Sequence, residues 1–341
     1  MTERINKASI VGLQMGLSGL ICLLLLQYYH LHEGFWAVVT VSSITRPNLS
    51  ATVIKSALRL VGTLVGAIVG FILAKHIGYS PFELFFTILI FSFTTTYIGL
   101  QTRPYNYLSV VAGFSAVIVI ASFVLGDIQA VAIDRTLEVC IGIIVVALVG
   151  WSISNFLTSK SPLIDREANK KIIQSFKDIS WSKPDLINAA IISLAASLTF
   201  LSWIIFRYPE GVWVTITLFV VMEDTTKGTK EKALARFLGQ CFAAVLGGAV
   251  AILFPTDMMV IGLVLVCGFF LCGFLIGYET KFSATGNHAG SALAIMLLAG
   301  LPDTALHVVI GRFLNVMVGL VIAMIVSYLL LKEDPKYQGI E

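Results

Sequence analysis

Four arginines sit in or beside long apolar runs and form two pairs, Arg59 with Arg236 and Arg135 with Arg312, each pair 177 residues apart. A guanidinium stays charged in any protein setting, and its planar fork donates two parallel hydrogen bonds to a carboxylate. Among apolar residues, that chemistry points to an anion. On a helix starting near Leu49, Lys55 and Arg59 share a face with Gly62, Gly66 and Gly70; the second stretch repeats this with Lys232, Arg236, Gly239, Ala243 and Gly247. Small residues let another backbone approach, so a cation on the same stripe is directed into a bundle. The plainer reading is an anchor that snorkels to the headgroups. Arg135 shares a face with Glu138 and Gly142, and Arg312 shares one with Asn315 and Gly319. A charge at the centre of a membrane span costs about 3 kcal/mol on insertion scales and usually has a function. The plainer reading here is a local ion pair of Arg135 with Asp134 or Glu138, for which Arg312 has no acidic counterpart within four positions. Read together, the arginines form an inner belt (Arg59, Arg236) and an outer belt (Arg135, Arg312), with an anion handed from one to the other between two copies of one unit.

Other groups could assist. Glu138, Asp134, Glu223, Asp224 and His288 lie in or beside apolar runs, where carboxylates and imidazoles can carry protons; a solvated hinge for Glu223 and Asp224, and packing for His288, are the plainer readings. Trp36 follows Glu33-Gly34, and Trp213 follows Glu210-Gly211. Both suit an interfacial aromatic belt or stacking on an aromatic substrate. Thr94 to Thr96, Tyr97 and Asn106 offer polar groups for a route. His288, His307 and Asp303 match no metal-ligand spacing, and the five cysteines all lie in apolar runs as packing residues. No phosphate loop or nucleophile elbow occurs. The sequence therefore predicts no enzyme, cofactor, metal or nucleic-acid partner, and no ATP-driven pump.

The elements that must position these groups are membrane helices. Hydrophobic residues make up 57% and charged residues 13% of the 341 residues, with a mean hydropathy of +0.90. A soluble domain carries about 25% charge, and this much apolar surface needs a bilayer to cover it. Spans of about 20 apolar residues are expected near 8–29, 34–45, 60–79, 82–99, 105–125 and 131–157, then near 185–206, 211–222, 237–254, 258–278, 284–301 and 307–331. Those beginning at Gly34 and Gly211 are short enough to dip in and break. The first run shows no cleavage site and reads as a retained span. With a cytoplasmic N-terminus, 19 of the 23 Lys and Arg residues fall inside, the exceptions being Lys75, Arg135, Arg207 and Arg312. That bias places both termini in the cytoplasm of a cell (inner) membrane protein.

The two halves superpose without a gap at a shift of 177 residues. EGFWAVVT (33–40) falls on EGVWVTIT (210–217), and Thr52, Lys55, Arg59 and Gly62 fall on Thr229, Lys232, Arg236 and Gly239. Chance matches between apolar stretches would not also align Glu, Trp, Lys and Arg. Six spans per copy, an even number, make the repeats parallel. The expected fold is an all-α membrane protein of about twelve transmembrane helices: a first six-helix repeat at 1–157, a basic cytoplasmic linker at 158–184, a second repeat at 185–331 and a cytoplasmic tail at 332–341.

The segment from Trp36 through Pro47, Thr52, Lys55, Arg59, Gly62 and Thr63 resembles the fusaric acid resistance and aromatic acid exporter family. The second copy keeps Trp213, Thr229, Lys232, Arg236 and Gly239 and departs at Asp224 and Gln240. The resemblance implies a proton-driven exporter of aromatic carboxylates, or a relative of the plant aluminium-activated malate transporters, which look like one six-helix unit working as a dimer. It also implies homo-oligomers or a periplasmic adaptor as partners, although the large cytosolic domain that many members carry between their halves is missing. A passive organic-anion channel is the nearest alternative function; a membrane-embedded enzyme or a structural membrane protein is the third.

Overall fold

The structure, a computed structural model, describes residues 2–31, 34–76, 80–103, 105–125, 128–157, 166–280, 282–299 and 305–331. Glu33, Lys281 and Asp303, residues 158–165 of the linker and the tail at 332–341 lie outside the described residues. The described residues form thirteen helices and no strands. In chain order these are α1 (Thr2–Tyr29), α2 (Phe35–Ile44), α3 (Leu49–His76), α4 (Pro81–Gln101), α5 (Tyr107–Leu125), α6 (Ile128–Leu157), α7 (Arg166–Lys177), α8 (Lys183–Phe206), α9 (Val212–Val221), α10 (Thr226–Leu253), α11 (Met258–Gly277), α12 (Ser283–Leu298) and α13 (Ala305–Leu330).

Eight of these helices, α1, α3, α4, α6, α8, α10, α11 and α13, are long and apolar enough to cross a membrane, as a multi-span membrane protein requires. Helices α3 and α10 start at Leu49 and Thr226, each eleven residues before the expected spans at 60 and 237. Their first turns carry Lys55, Arg59, Lys230 and Lys232, which lower hydropathy but are good helix formers. The 28 residues of α3 make a rod of about 42 Å, longer than the roughly 30 Å hydrocarbon core. Helices α2 and α9 have ten residues each, which is about 15 Å and half of that core.

The ends of α2 and α9 are built alike. Pro47 disfavours helix at the residue before it, and α2 stops at Ile44. The freed Arg46 N–H donates to Thr52 Oγ1 at 3.0 Å. No proline follows α9, yet the Glu223 N–H donates to Thr229 Oγ1 at the same 3.0 Å. Inside these helices the Thr40 hydroxyl donates to the Trp36 carbonyl at 2.8 Å, and that of Thr217 to the Trp213 carbonyl at 2.7 Å. The starts of α2 and α9, of α3 and α10, and of α4 and α11 are each 177 residues apart.

The helices gather into two compact units, each drawing on both halves of the sequence. The first holds residues 1–60, 133–165 and 235–313. In it α1 packs along α11 and α2 packs on α12. Glycines make the first contact close: a Cβ at Gly12 would stand 2.7 Å from the Phe270 carbonyl oxygen, and one at Gly273 2.7 Å from that of Val11. Lys7 pairs with Glu279 at 2.9 Å at the edge of this contact, and the hydroxyls of Ser42 and Ser291 meet at 2.7 Å between α2 and α12. The second unit holds residues 61–132, 166–234 and 314–341. In it α8 packs along α4, and α9 packs on α5. Gln101 donates to Asp185, and Tyr97 Oη to the Ser180 carbonyl at 2.8 Å, which fastens the linker's end to α4.

Candidate anion-binding site

Arg59, Arg135, Arg236 and Arg312 all belong to the first compact unit, on α3, α6, α10 and α13. Their exposures are 3%, 0%, 6% and 2%. These values describe cover by the protein itself. A side chain reaching for headgroups would stand bare in the absence of lipid, so the snorkelling reading of Arg59 and Arg236 does not describe this fold. Arg135 is among the largest side chains that the molecule encloses completely. Enclosing a guanidinium costs several kcal/mol unless other groups compensate, so its surroundings matter.

The local sequence sets those surroundings. Arg135 lies seven residues into α6, about 10 Å from the helix start. Gly142 follows two turns later on the same face, and a Cβ there would come within 2.5 Å of the Ala37 carbonyl oxygen and 2.9 Å of Thr40 Cβ. Absence of a side chain at Gly142 therefore seats α6 directly on α2. This contact brings Trp36, at the start of α2, under the arginine: Arg135 Cζ lies 3.7 Å from the centre of the indole ring. At that distance the cation sits on the negative face of the ring quadrupole, an attraction of about 2 kcal/mol when desolvated. Trp36 is itself buried. It is neither a bare interfacial anchor nor open for stacking while Arg135 occupies its face. Glu138, one turn beyond Arg135, is also buried, and Asp134 is half-buried.

On α10, a Cβ at Gly239 would meet the His288 carbonyl carbon at 2.9 Å and the Ala289 nitrogen at 2.6 Å. Gly239 stands one turn past Arg236, so the arginine's face of α10 is the face set against α12. His288, half-buried, belongs to this contact. His307 is exposed, and the described residues hold no group of three or more His, Cys, Asp or Glu that could bind a metal.

In the second unit the contact of Gly142 has a counterpart, since a Cβ at Gly319 of α13 would meet Thr217 Cβ at 2.8 Å. Asn315 of α13 donates to the Pro209 carbonyl at 2.9 Å. Trp213 donates its indole N–H to Glu210 at 2.7 Å. Gly62, Gly66 and Gly70 of α3 lie against the backbone of α5. Glu223 pairs with Lys232, and Arg103 pairs with Asp224 and, at 3.6 Å, with Asp185. Glu223 and Asp224 thus take part in a charged network at the α9–α10 hinge. Of the polar groups expected along a route, Thr95, Thr96 and Asn106 line one cleft, Thr94 turns its hydroxyl to the Ile90 carbonyl, and Tyr97 holds the linker. Ser109 and Phe219, also in that cleft, carry no spacing signal, because they lie on helices from different halves.

The sequence model of a family described as fusaric acid resistance protein-like matches residues 21–149 and 191–326, well over half of the chain. Members of that family are membrane transporters or exporters, not enzymes. No curated protein and no solved structure matches the chain.

Proposed function

The chain belongs to the fusaric acid resistance protein-like family, and is accordingly a multi-pass membrane transport protein; from that premise we propose that it exports organic anions, aromatic carboxylates first among them, using the proton gradient. One observation carries the reading. Four arginines at duplicated positions are covered by protein within one compact unit, and a guanidinium fork is suited to a carboxylate through paired hydrogen bonds.

In this reading the chain folds as two parallel six-helix repeats, with α1–α6 matched by α8–α13. Matched helix starts, the paired threonine bonds and a family match in two stretches support it. The first copy spans 1–157, the linker 158–184, the second copy 185–331 and the tail 332–341, with both termini on the cytoplasmic side of the inner membrane. Short α2 and α9 complete the count of twelve without needing to cross as unbroken rods. Arg59 and Arg236 receive the anion from the cytoplasmic side, and Arg135 and Arg312 hold it toward the outer side. Trp36 keeps the Arg135 guanidinium flat, and Trp213 serves the second copy. Glu138 and Asp134, one turn or less from Arg135, and Glu223 and His288 elsewhere, are the groups that exchange protons.

The test is uptake into liposomes holding the full chain, with benzoate, malate and chloride offered in turn, with and without a pH gradient. Benzoate is expected to move fastest and to accumulate against its gradient when protons drive it. Benzoate flux that ignores the pH gradient would instead make the chain a passive anion channel, and flux of chloride alone would remove the carboxylate reading.

A further inference from the structure

Helix α7 and the turn that follows it carry a pattern unlike the apolar spans on either side. Ile172 and Phe176 stand one turn apart on one side of α7, with Ile173 at their edge, while Lys170, Gln174 and Lys177 take the opposite side. Ile172 and Phe176 are half-buried. Ile173 is 57% exposed, and Ile179 and Trp181, just past the helix, are 37% and 83% exposed. A lone exposed apolar residue is ordinary on any surface, but these three fall within nine residues and one is a tryptophan. Lys170, Lys171, Lys177 and Lys183 flank them, all exposed, and only Glu167 and Asp178 oppose that charge between 167 and 183. No carboxylate of a described residue pairs with these lysines, and Asp178 accepts from Gln174 at 2.6 Å. A helix of twelve residues is marginal in water by itself, so what covers its apolar side matters.

The fold brings this segment to a membrane surface. Helix α4 has 21 residues, a rod of about 31 Å that matches the roughly 30 Å hydrocarbon core, so its ends lie at the interfaces. At its C-terminal end, Tyr97 Oη donates to the Ser180 carbonyl at 2.8 Å and accepts from the Ser182 N–H at 3.3 Å. The Gln101 carboxamide oxygen accepts from the Ser180 N–H, also at 3.3 Å. Trp181 is thus pinned through both neighbours to the end of α4, two residues before the span α8 begins. Lys177, the last residue of α7, is three residues from Ser180, at most about 11 Å of chain. A headgroup layer about 6 Å deep on each side of the core lies within that reach. The placement needs only that α4 and α8 span, whichever side they face, and so stands apart from the arginine reading.

We propose that α7 and Trp181 form a docking surface for anionic phospholipids, with Ile173, Ile179 and Trp181 dipping into the interface and Lys170, Lys171, Lys177 and Lys183 meeting the phosphates. A helix with lysines on one face and large apolar side chains on the other lies in the plane of a bilayer, held by apolar burial and by attraction to anionic lipid. Each lysine near a negative surface adds to that attraction, and its long stem keeps the ammonium among the headgroups while the helix sits lower. Tryptophan prefers the same depth. An acidic protein would answer the lysines as well, but the bilayer is the surface that the end of α4 already sets alongside. Docking of this kind makes the segment joining the two halves of the sequence responsive to lipid charge.

The probe is phosphatidylglycerol. The full chain is placed in nanodiscs of phosphatidylcholine, alone or with one-third phosphatidylglycerol, and hydrogen–deuterium exchange is followed in peptides covering 167–182, with peptides of α8 as the internal reference. Exchange over 167–182 is expected to be at least tenfold slower with phosphatidylglycerol. The difference should vanish in the triple variant Lys170→Gln, Lys171→Gln, Lys177→Gln, and in about 1 M salt, where the Debye length is about 3 Å. Trp181→Ser should keep only part of the slowing. The three lysines are exposed, so their replacement leaves the packing of the spans intact, and unchanged exchange in α8 checks this. Equal exchange in the two lipids would overturn the proposal, because neither headgroup charge nor lysine would then matter to α7. Slowing that the triple variant retains, or that high salt leaves in place, would overturn it too. A chain that carries no benzoate leaves this result standing, and a linker indifferent to lipid charge leaves the arginine reading untouched.

Discussion

Replacing Trp36 by leucine removes the ring beneath Arg135 while keeping an apolar side chain on α2. The guanidinium carbon lies 3.7 Å from the ring centre, and both side chains are buried, so the interaction is of the desolvated kind, about 2 kcal/mol. If the ring holds the guanidinium in the plane that grips a carboxylate, the loss appears as roughly thirtyfold weaker anion affinity. Phenylalanine keeps an aromatic face of weaker quadrupole, and Trp36→Phe should lose only a few-fold. The assay is initial uptake of radiolabelled benzoate into liposomes over a range of concentrations. Protein amount and monodispersity are measured on the same preparations, because a smaller side chain at a buried site also lowers stability by a few kcal/mol. The half-saturation concentration should rise in the order wild type, Trp36→Phe, Trp36→Leu. A folded Trp36→Leu protein with unchanged half-saturation would refute a positioning role for the ring.

The repeated hinge bonds give a paired prediction: Thr52→Val and Thr229→Val each leave a partly buried backbone N–H without its 3.0 Å acceptor, and each should cost about 1 kcal/mol, seen as similar falls in melting temperature; no fall in either would show the hydroxyls to be dispensable. Gly142→Val sets a side chain within 2.5 Å of the Ala37 carbonyl and should cost about 1–3 kcal/mol of stability, with loss of benzoate flux as α6 separates from α2; a variant that melts and transports like the wild type would contradict that contact. Arg59→Gln and Arg236→Gln should each lower benzoate flux at least tenfold without loss of folded protein, read in the same liposomes, and unchanged flux in both would confine the pathway to the other pair.

The helices were legible wherever apolar runs are long and punctuated. The start of α11 at Met258 and the ends of α1, α5 and α8 fall where expected. The start of α3 falls near Leu49, as the shared face of Lys55, Arg59 and Gly62 implied; hydropathy alone begins the apolar spans only at 60 and 237, because lysine and arginine suit a helix as well as leucine does. Glycine stripes showed that a backbone approaches, but a stripe does not say which one. That α1 meets α11, and α4 meets α8, follows from side-chain fit between distant segments. Burial of the four arginines could be anticipated from their faces. Stacking of Arg135 on Trp36 could not, since the two are 99 residues apart and meet only because Gly142 admits α2. The cleft was half visible, through Thr95, Thr96 and Asn106; Phe219 joins it from the other half of the chain.

The central proposal is that enclosed guanidiniums serve as seats for a travelling carboxylate, and benzoate flux through Arg135→Gln and Arg312→Gln, reconstituted at the same density as the wild type, decides whether they do. Glutamine keeps length and some hydrogen bonding but removes the charge and the fork. Flux should fall to the level of empty liposomes in both variants, with Arg135→Lys recovering only part of it. Wild-type flux through folded Arg135→Gln and Arg312→Gln would mean that these cations hold the bundle together and never touch the cargo.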